Sequence, residues 1–202
     1  MTAITPEEAE RHRAKMAKRK QVQDAEVAEK TVTEKGLLIV HTGPGKGKST
    51  AAFGLALRTL GYGGRVGVVQ FIKGAWHSAE RDALETFGDR VSWHTMGEGF
   101  TWETQDLARD KASAARAWEK ARELMADPTI GFLVLDELNI ALRYDYLDLD
   151  KVVATLVARR PDLHVVVTGR NAKPAMLEAA DMVRTLWIVV DSGTEISLTP
   201  SR

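Results

Sequence analysis

The sequence predicts an α/β fold: one mostly parallel sheet with helices on both faces, in a single domain behind a polar N-terminal helical arm. Two observations predict it. Short continuous apolar runs, typical of strands buried on both faces, alternate with longer segments of helical composition. The first run, residues 36–41, also passes through a glycine-rich turn straight into the alanine- and leucine-rich residues 51–60. Strand, glycine-rich turn and helix in that order are the layout of a phosphate-binding loop, so the expected class is a P-loop domain with a RecA-like sheet.

Each element has its own justification. Residues 1–35 read as an arm and residues 36–202 as the nucleotide-binding domain. The arm is rich in Ala, Glu, Lys, Arg and Gln and nearly free of large apolar residues. Thr5-Pro6-Glu7-Glu8 is a helix start, with a cap, proline at the first position and acids in the first turn. Mixed charge then continues to Lys30. Such a segment is either a solvated, partly disordered tail or an arm that orders on a partner subunit or over a ligand. In the domain, residues 36–41 are the first strand and 51–60 a helix, after which Tyr62-Gly63-Gly64 turns the chain. Residues 66–71 are the second strand, 78–87 a short helix and 91–94 the third strand. Residues 96–102 form a loop holding two glycines and two aromatics. A long helix over 104–125 is closed by Asp127-Pro128, and 130–135 is the fourth strand. A helix over 149–160 ends at Pro161, 164–167 is the fifth strand and 174–180 a helix. Residues 183–190 are a sixth strand, and 194–198 can add an edge strand.

Composition excludes several classes. The chain has 202 residues, with Lys+Arg and Asp+Glu equal at 28 each, so no general attraction to nucleic acid or anionic membrane is expected. It has no cysteine, hence no disulfide, thiolate metal site or cysteine nucleophile. No apolar run approaches the length that crosses a bilayer, and the first residues lack a basic-then-apolar signal, so a cytoplasmic protein is expected. His12, His41, His77, His94 and His164 show no metal-ligand spacing, and no nucleophile triad is apparent.

Right-handed crossovers put the C-terminal ends of all parallel strands on one edge of the sheet, where ligands bind. The unusual residues all follow strand ends and so converge there. Thr42, Gly43, Pro44, Gly45, Lys46, Gly47, Lys48, Ser49 and Thr50 form the candidate phosphate loop. Its glycines let N–H groups curl inward, and the following helix presents its positive end to the same anion. Lys48 is placed to reach the outer phosphates and the Ser49 hydroxyl to hold Mg²⁺ (or Mn²⁺). The standard spacing wants glycine at position 42. Here Thr42 stands there and Gly43 follows, so the loop is a variant. Asp136-Glu137 after an apolar strand is a Walker B pattern, one carboxylate of which holds the metal directly or through water. The candidate metal set is therefore Ser49, Asp136 and Glu137, and the candidate catalytic residues are Lys48 and Glu137. Lys73 and Arg170 are either phosphate contacts or solvated loop cations. Phe100 and Trp102 either pack a lid or subunit interface or form a platform for a large flat ligand.

Taken together, five stretches resemble the ATP:corrinoid adenosyltransferases of the CobA/CobO/BtuR type. They are the loop from Thr42 through Ala52, Gln70-Phe71-Ile72-Lys73-Gly74, the loop from Met96 to Trp102, Leu135-Asp136-Glu137-Leu138-Asn139, and Thr168-Gly169-Arg170. The resemblance covers nearly all of residues 30–202 and includes the missing first glycine. It implies a dimeric cytoplasmic enzyme that moves the 5′-deoxyadenosyl group of ATP onto Co(I) of a corrinoid, with triphosphate leaving. It implies ATP reversed in the loop relative to ordinary P-loop NTPases, an N-terminal helix able to cover the site, and Glu98, Phe100 and Trp102 as corrinoid contacts. A reduced flavoprotein would supply the electron. Co(I) is itself the nucleophile, which fits the lack of a serine or cysteine nucleophile. The stretch Asp162-Leu163-His164-Val165-Val166 approaches a base-off cobalt signature. Val167 stands in place of its glycine, so His164 is rejected as a cobalt ligand. Two other classes stay open on the residues alone: an ordinary P-loop ATPase or kinase, and a nucleotide-gated regulatory protein.

Overall fold

The computed structural model describes residues 4–29, 35–72, 78–97 and 106–186. The chain divides into two compact units, Met1–Glu34 and Lys35–Arg202. The first holds helix α1 (Pro6–Glu29), none of whose residues is buried. Its start is a reciprocal capping box. Glu8 N–H donates to Thr5 Oγ1 at 3.2 Å, and Thr5 N–H donates to Glu8 Oε2 at 2.9 Å, which satisfies two of the donors a helix start leaves open.

Among the described residues, the second unit is built on six parallel strands in the order β3-β2-β4-β5-β1-β6. They are β1 (Leu38–Thr42), β2 (Val66–Gln70), β3 (Val91–Thr95), β4 (Phe132–Asp136), β5 (His164–Thr168) and β6 (Met182–Thr185). The helices between them are α2 (Lys48–Gly61), α3 (Ala79–Glu85), α4 (Leu107–Ala126), α5 (Leu138–Arg143), α6 (Leu149–Val157) and α7 (Pro174–Ala179), and a 3₁₀ turn spans Gly88–Arg90. Among the described residues, no helix is long and apolar enough to cross a membrane.

Strand periodicity sorts the core into two layers. Leu38, Val40, Val69, Leu133, Leu135, Val165 and Val167 point to one face and pack with apolar residues of α4, α5, α6 and α7. Ile39, Val66, Val68, Phe132, Val134 and Val166 point to the other and pack with Ala52, Phe53, Ala56 and Leu60 of α2 and Leu84 of α3. Ala52 and Ala56 are wholly buried, and their small side chains let α2 lie close over the middle of the sheet.

The structure departs from the expected elements at particular places. Helix α2 begins at Lys48, inside the phosphate loop, because Gly47 takes the left-handed conformation (φ 95°) that ends the loop in a single residue. Helix α6 ends at Val157, three residues short of the expected end. Strand β6 begins at Met182, and residues 187–190 of the expected strand lie outside the described residues, as does the expected edge strand at 194–198. Helix α5 was not expected at all.

Candidate active site

The phosphate loop is shaped by its two left-handed glycines. Gly43 has φ 101° and Gly47 φ 95°, conformations that a side chain disfavours. Thr42 is the last residue of β1 and keeps strand geometry, so position 42 needs no glycine. Its hydroxyl instead accepts a hydrogen bond from Ala172 N–H at 3.1 Å, and its carbonyl accepts from Leu186 N–H at 2.9 Å. Gly45 N–H donates to Leu186 O at 3.0 Å, which ties the loop to the chain leaving β6. Past Gly47 the first turn of α2 carries N–H groups that no helix carbonyl can accept, the usual anion site of a helix start.

Lys48 is buried and turned back on the loop. Its ammonium donates to Gly43 O at 3.0 Å and to Gly45 O. Burial lowers its pKa from the ordinary lysine value. Glu137 opposes the shift, and Arg170 adds to it. Behind the loop, His41 faces Lys48 O with Nδ1 at 3.2 Å, which requires Nδ1 to carry the proton. Burial lowers the His41 pKa, so the neutral ring is favoured. His164 is equally structural. It opens β5 at the far edge of the sheet, where Nδ1 accepts from Leu37 N–H at 3.1 Å.

Asp136 ends β4 with no exposed surface. Its Oδ1 accepts from Ser49 Oγ at 2.6 Å and from Thr168 Oγ1 at 2.8 Å, and its Oδ2 accepts from Gln70 Nε2 at 3.0 Å. Glu137 follows in the left-handed conformation (φ 63°), with its N–H donating to Thr168 Oγ1 at 2.9 Å. This bend separates the two carboxylates. Asp136 stays beneath the loop, whereas Glu137 faces a cleft.

That cleft has a volume of about 650 Å³. Gly45, Lys46, Gly47, Lys48, Ser49 and Thr50 form its floor, and Glu137 and Arg170 stand on it. Thr42, Gly43 and Asp136 support the floor, and neither they nor Pro44 line the cleft. Lys73, Glu98, Phe100 and Trp102 lie outside the described residues. The remaining wall is made by Ile72, Glu80, Ile140, Arg143 and Tyr144, none of which was expected to line a site. Arg143 lies over the Tyr144 ring at 5.5 Å. Ile72 belongs to the stretch Gln70–Gly74, but Glu80, Ile140, Arg143 and Tyr144 carry no motif of their own. Gln70 and Thr168 were visible as strand ends within two of the stretches that carry the resemblance, but their tie to Asp136 was not.

A glycine-rich loop between a parallel strand and a helix, with a buried lysine and a serine–aspartate pair beneath it, defines a P-loop nucleotide-binding protein. Comparison with known proteins narrows the class. Residues 34–190 match the family described as ATP:corrinoid adenosyltransferase BtuR/CobO/CobP, and residues 1–27 match the cob(I)alamin adenosyltransferase N-terminal family. The chain belongs to the ATP:corrinoid adenosyltransferase family. It is 54% identical to the corrinoid adenosyltransferase of Pseudomonas aeruginosa over 92% of this chain and 91% of that one. It is 45% identical to the corrinoid adenosyltransferase CobA of Salmonella typhimurium over 88% and 89% of the two chains.

Proposed function

We infer that the protein transfers the 5′-deoxyadenosyl group of ATP to Co(I) of a corrinoid and releases triphosphate, a step in making adenosylcobalamin. The observation that carries this is the phosphate-loop cleft in a chain matched to the adenosyltransferase family over residues 34–190. The Co(I) electron pair forms the bond to C5′, the C5′–O bond breaks, and the triphosphate leaves with the pair of that broken bond. The protein's task is to hold the two substrates and to stabilise charge on the leaving group.

The geometry of the cleft supports the roles proposed for the loop, Lys48, Ser49, Glu137 and Arg170. The loop residues Gly45 to Thr50 seat the phosphates, and Thr42, Gly43 and Pro44 lead the chain into that loop. Lys48 exchanges its loop carbonyls for phosphate oxygens, and Arg170 adds a second cation. Lys73 lies just beyond Ile72 in sequence and is proposed as a third. The oxygens of Ser49 and Glu137 suit a hard divalent cation, Mg²⁺ or Mn²⁺, with Asp136 held directly behind Ser49. Among the described residues no group of three or more His, Cys, Asp or Glu side chains can hold a metal alone. Ser49 and Glu137 would hold such a cation, with phosphate oxygens and water supplying the rest of its shell, as is usual for Mg²⁺. The cation supplies charge neutralisation on the triphosphate.

Glu98, Phe100 and Trp102 are proposed to contact the corrinoid, the two rings keeping water or a base from the lower face of cobalt. Residues 1–35 are proposed as an arm and 36–202 as the catalytic domain. A homodimer and a reduced flavoprotein electron donor are the partners the family implies, and ATP as co-substrate supports a cytoplasmic location.

The test is anaerobic incubation with ATP, Mg²⁺ and cob(I)alamin. A cobalt–carbon spectrum with one triphosphate per product is expected. Release of ADP would identify ordinary phosphoryl transfer, and ATP binding without any product would identify a regulatory protein. Either result overturns the reading.

A further inference from the structure

A connected set of hydrogen bonds runs behind the phosphate loop, across the C-terminal ends of four strands. It starts on β3. Trp93 Nε1 donates to Gln70 Oε1 at 3.2 Å, shared with Thr95 Oγ1 at 3.2 Å, and Thr95 Oγ1 donates to Gln70 Oε1 at 2.9 Å. An indole N–H can only donate, so the oxygen of the Gln70 amide must face β3. Its nitrogen then necessarily faces β4, where it donates to Asp136 Oδ2 at 3.0 Å. With Oδ2 held on that side, Oδ1 is presented to Thr168 Oγ1 and to Ser49 Oγ. Gln70 and Asp136 are 4% and 0% exposed, so water does not substitute for these partners.

The consequence falls on Ser49. A hydroxyl has one proton and two lone-pair sites. A hydroxyl that is to ligate a cation must direct its proton elsewhere, and Asp136 Oδ1 at 2.6 Å takes it. We propose that Gln70 is a positioning residue: oriented by Trp93 and Thr95, its amide turns Asp136 to accept the Ser49 proton and so leaves the Ser49 lone pairs to the cation that accompanies ATP. This rests on the nucleotide–metal reading above. Gln70 does not line the cleft.

The experiment measures ATP binding by calorimetry, in EDTA and in Mg²⁺, for wild type, Gln70→Leu and the pair Trp93→Phe with Thr95→Val. The pair removes both donors to Gln70 Oε1 and leaves Gln70 in place, so it serves if Gln70→Leu does not fold. Binding in EDTA should stay within about twofold of wild type. The tightening that Mg²⁺ confers should fall by about 10–100-fold, the scale for losing a partner that orients a metal ligand. The KM for Mg²⁺ should rise with it, while the KM for the corrinoid holds. Equal weakening in EDTA and in Mg²⁺ would make Gln70 a packing residue and overturn the proposal, as would folded variants that bind as wild type does. A wild-type protein indifferent to Mg²⁺ would remove the metal reading beneath it and this role too.

Discussion

Glu137 adopts a backbone conformation that costs a side-chain-bearing residue about 1–2 kcal/mol. Alanine and glycine at this position separate strain from chemistry. Both Glu137→Ala and Glu137→Gly remove the carboxylate from the cleft, and each should lower turnover by about two orders of magnitude, the scale for one preorganised charge contact. Glu137→Gly should nevertheless melt higher than Glu137→Ala, because glycine alone relieves the left-handed strain. Lys48→Ala should match them in turnover, since Lys48 is the buried cation of the same cleft. Near wild-type rates at saturating ATP for Lys48→Ala and both Glu137 variants would remove these residues from the catalytic roles. At this scale the loop, Asp136-Glu137 and Arg170 were legible, because glycine, charge and strand ends leave a mark in sequence. Arg143, Tyr144 and Glu80 were not. Only the folded chain shows that the turn after Leu142 and the start of α3 come round to the same cleft.

The elements are tied at their N-terminal edge by one carboxylate. Asp181 precedes β6, and its Oδ2 accepts from Leu38 N–H at 2.8 Å, while Lys35 and Arg159 pair with the same group. It joins β1, β6 and the chain following α6. The Leu38 N–H first and then Lys35 hold the Asp181 pKa below the ordinary carboxylate value of 3.8. A depressed carboxylate contributes stability that is present above the unfolded pKa and is lost as pH falls through the folded one. Asp181→Asn should therefore cost about 1–2 kcal/mol at neutral pH, the worth of hydrogen bonds to a charged group, and progressively less below the ordinary carboxylate value. Urea midpoints of variant and wild type at pH 7 and in acid check this, and a gap that stays constant with pH would refute it. The strands themselves were legible as apolar runs, because burial on both faces leaves little room for polar residues. Helix α5 was not legible. Six residues are too few to show a helical period, and its start is set by the left-handed Glu137 rather than by a capping side chain.

At the scale of the molecule, the groups that form the cleft hang on the ends of β1, β2, β4 and β5 and the turns after them, all within Lys35–Arg202. Both hydrophobic clusters belong to that unit. Helix α1 buries none of its own residues, and its sequence offers no apolar stripe to add to a core. Deleting residues 1–34 should thus leave the sheet intact. The melting midpoint should stay within about 2–4 °C of wild type, the shift that ~1 kcal/mol makes in a domain of this size. Binding of Mg·ATP should also persist, since the phosphate loop and its supports remain. Corrinoid turnover should fall if the arm, which matches the cob(I)alamin adenosyltransferase N-terminal family over residues 1–27, covers the site as the resemblance implies. Calorimetry with ATP, thermal melting and the anaerobic turnover assay on the truncated chain separate these outcomes. A chain that no longer folds would place the arm in the core. Full corrinoid turnover would remove the arm from catalysis, and loss of ATP binding alone would assign it to the nucleotide instead.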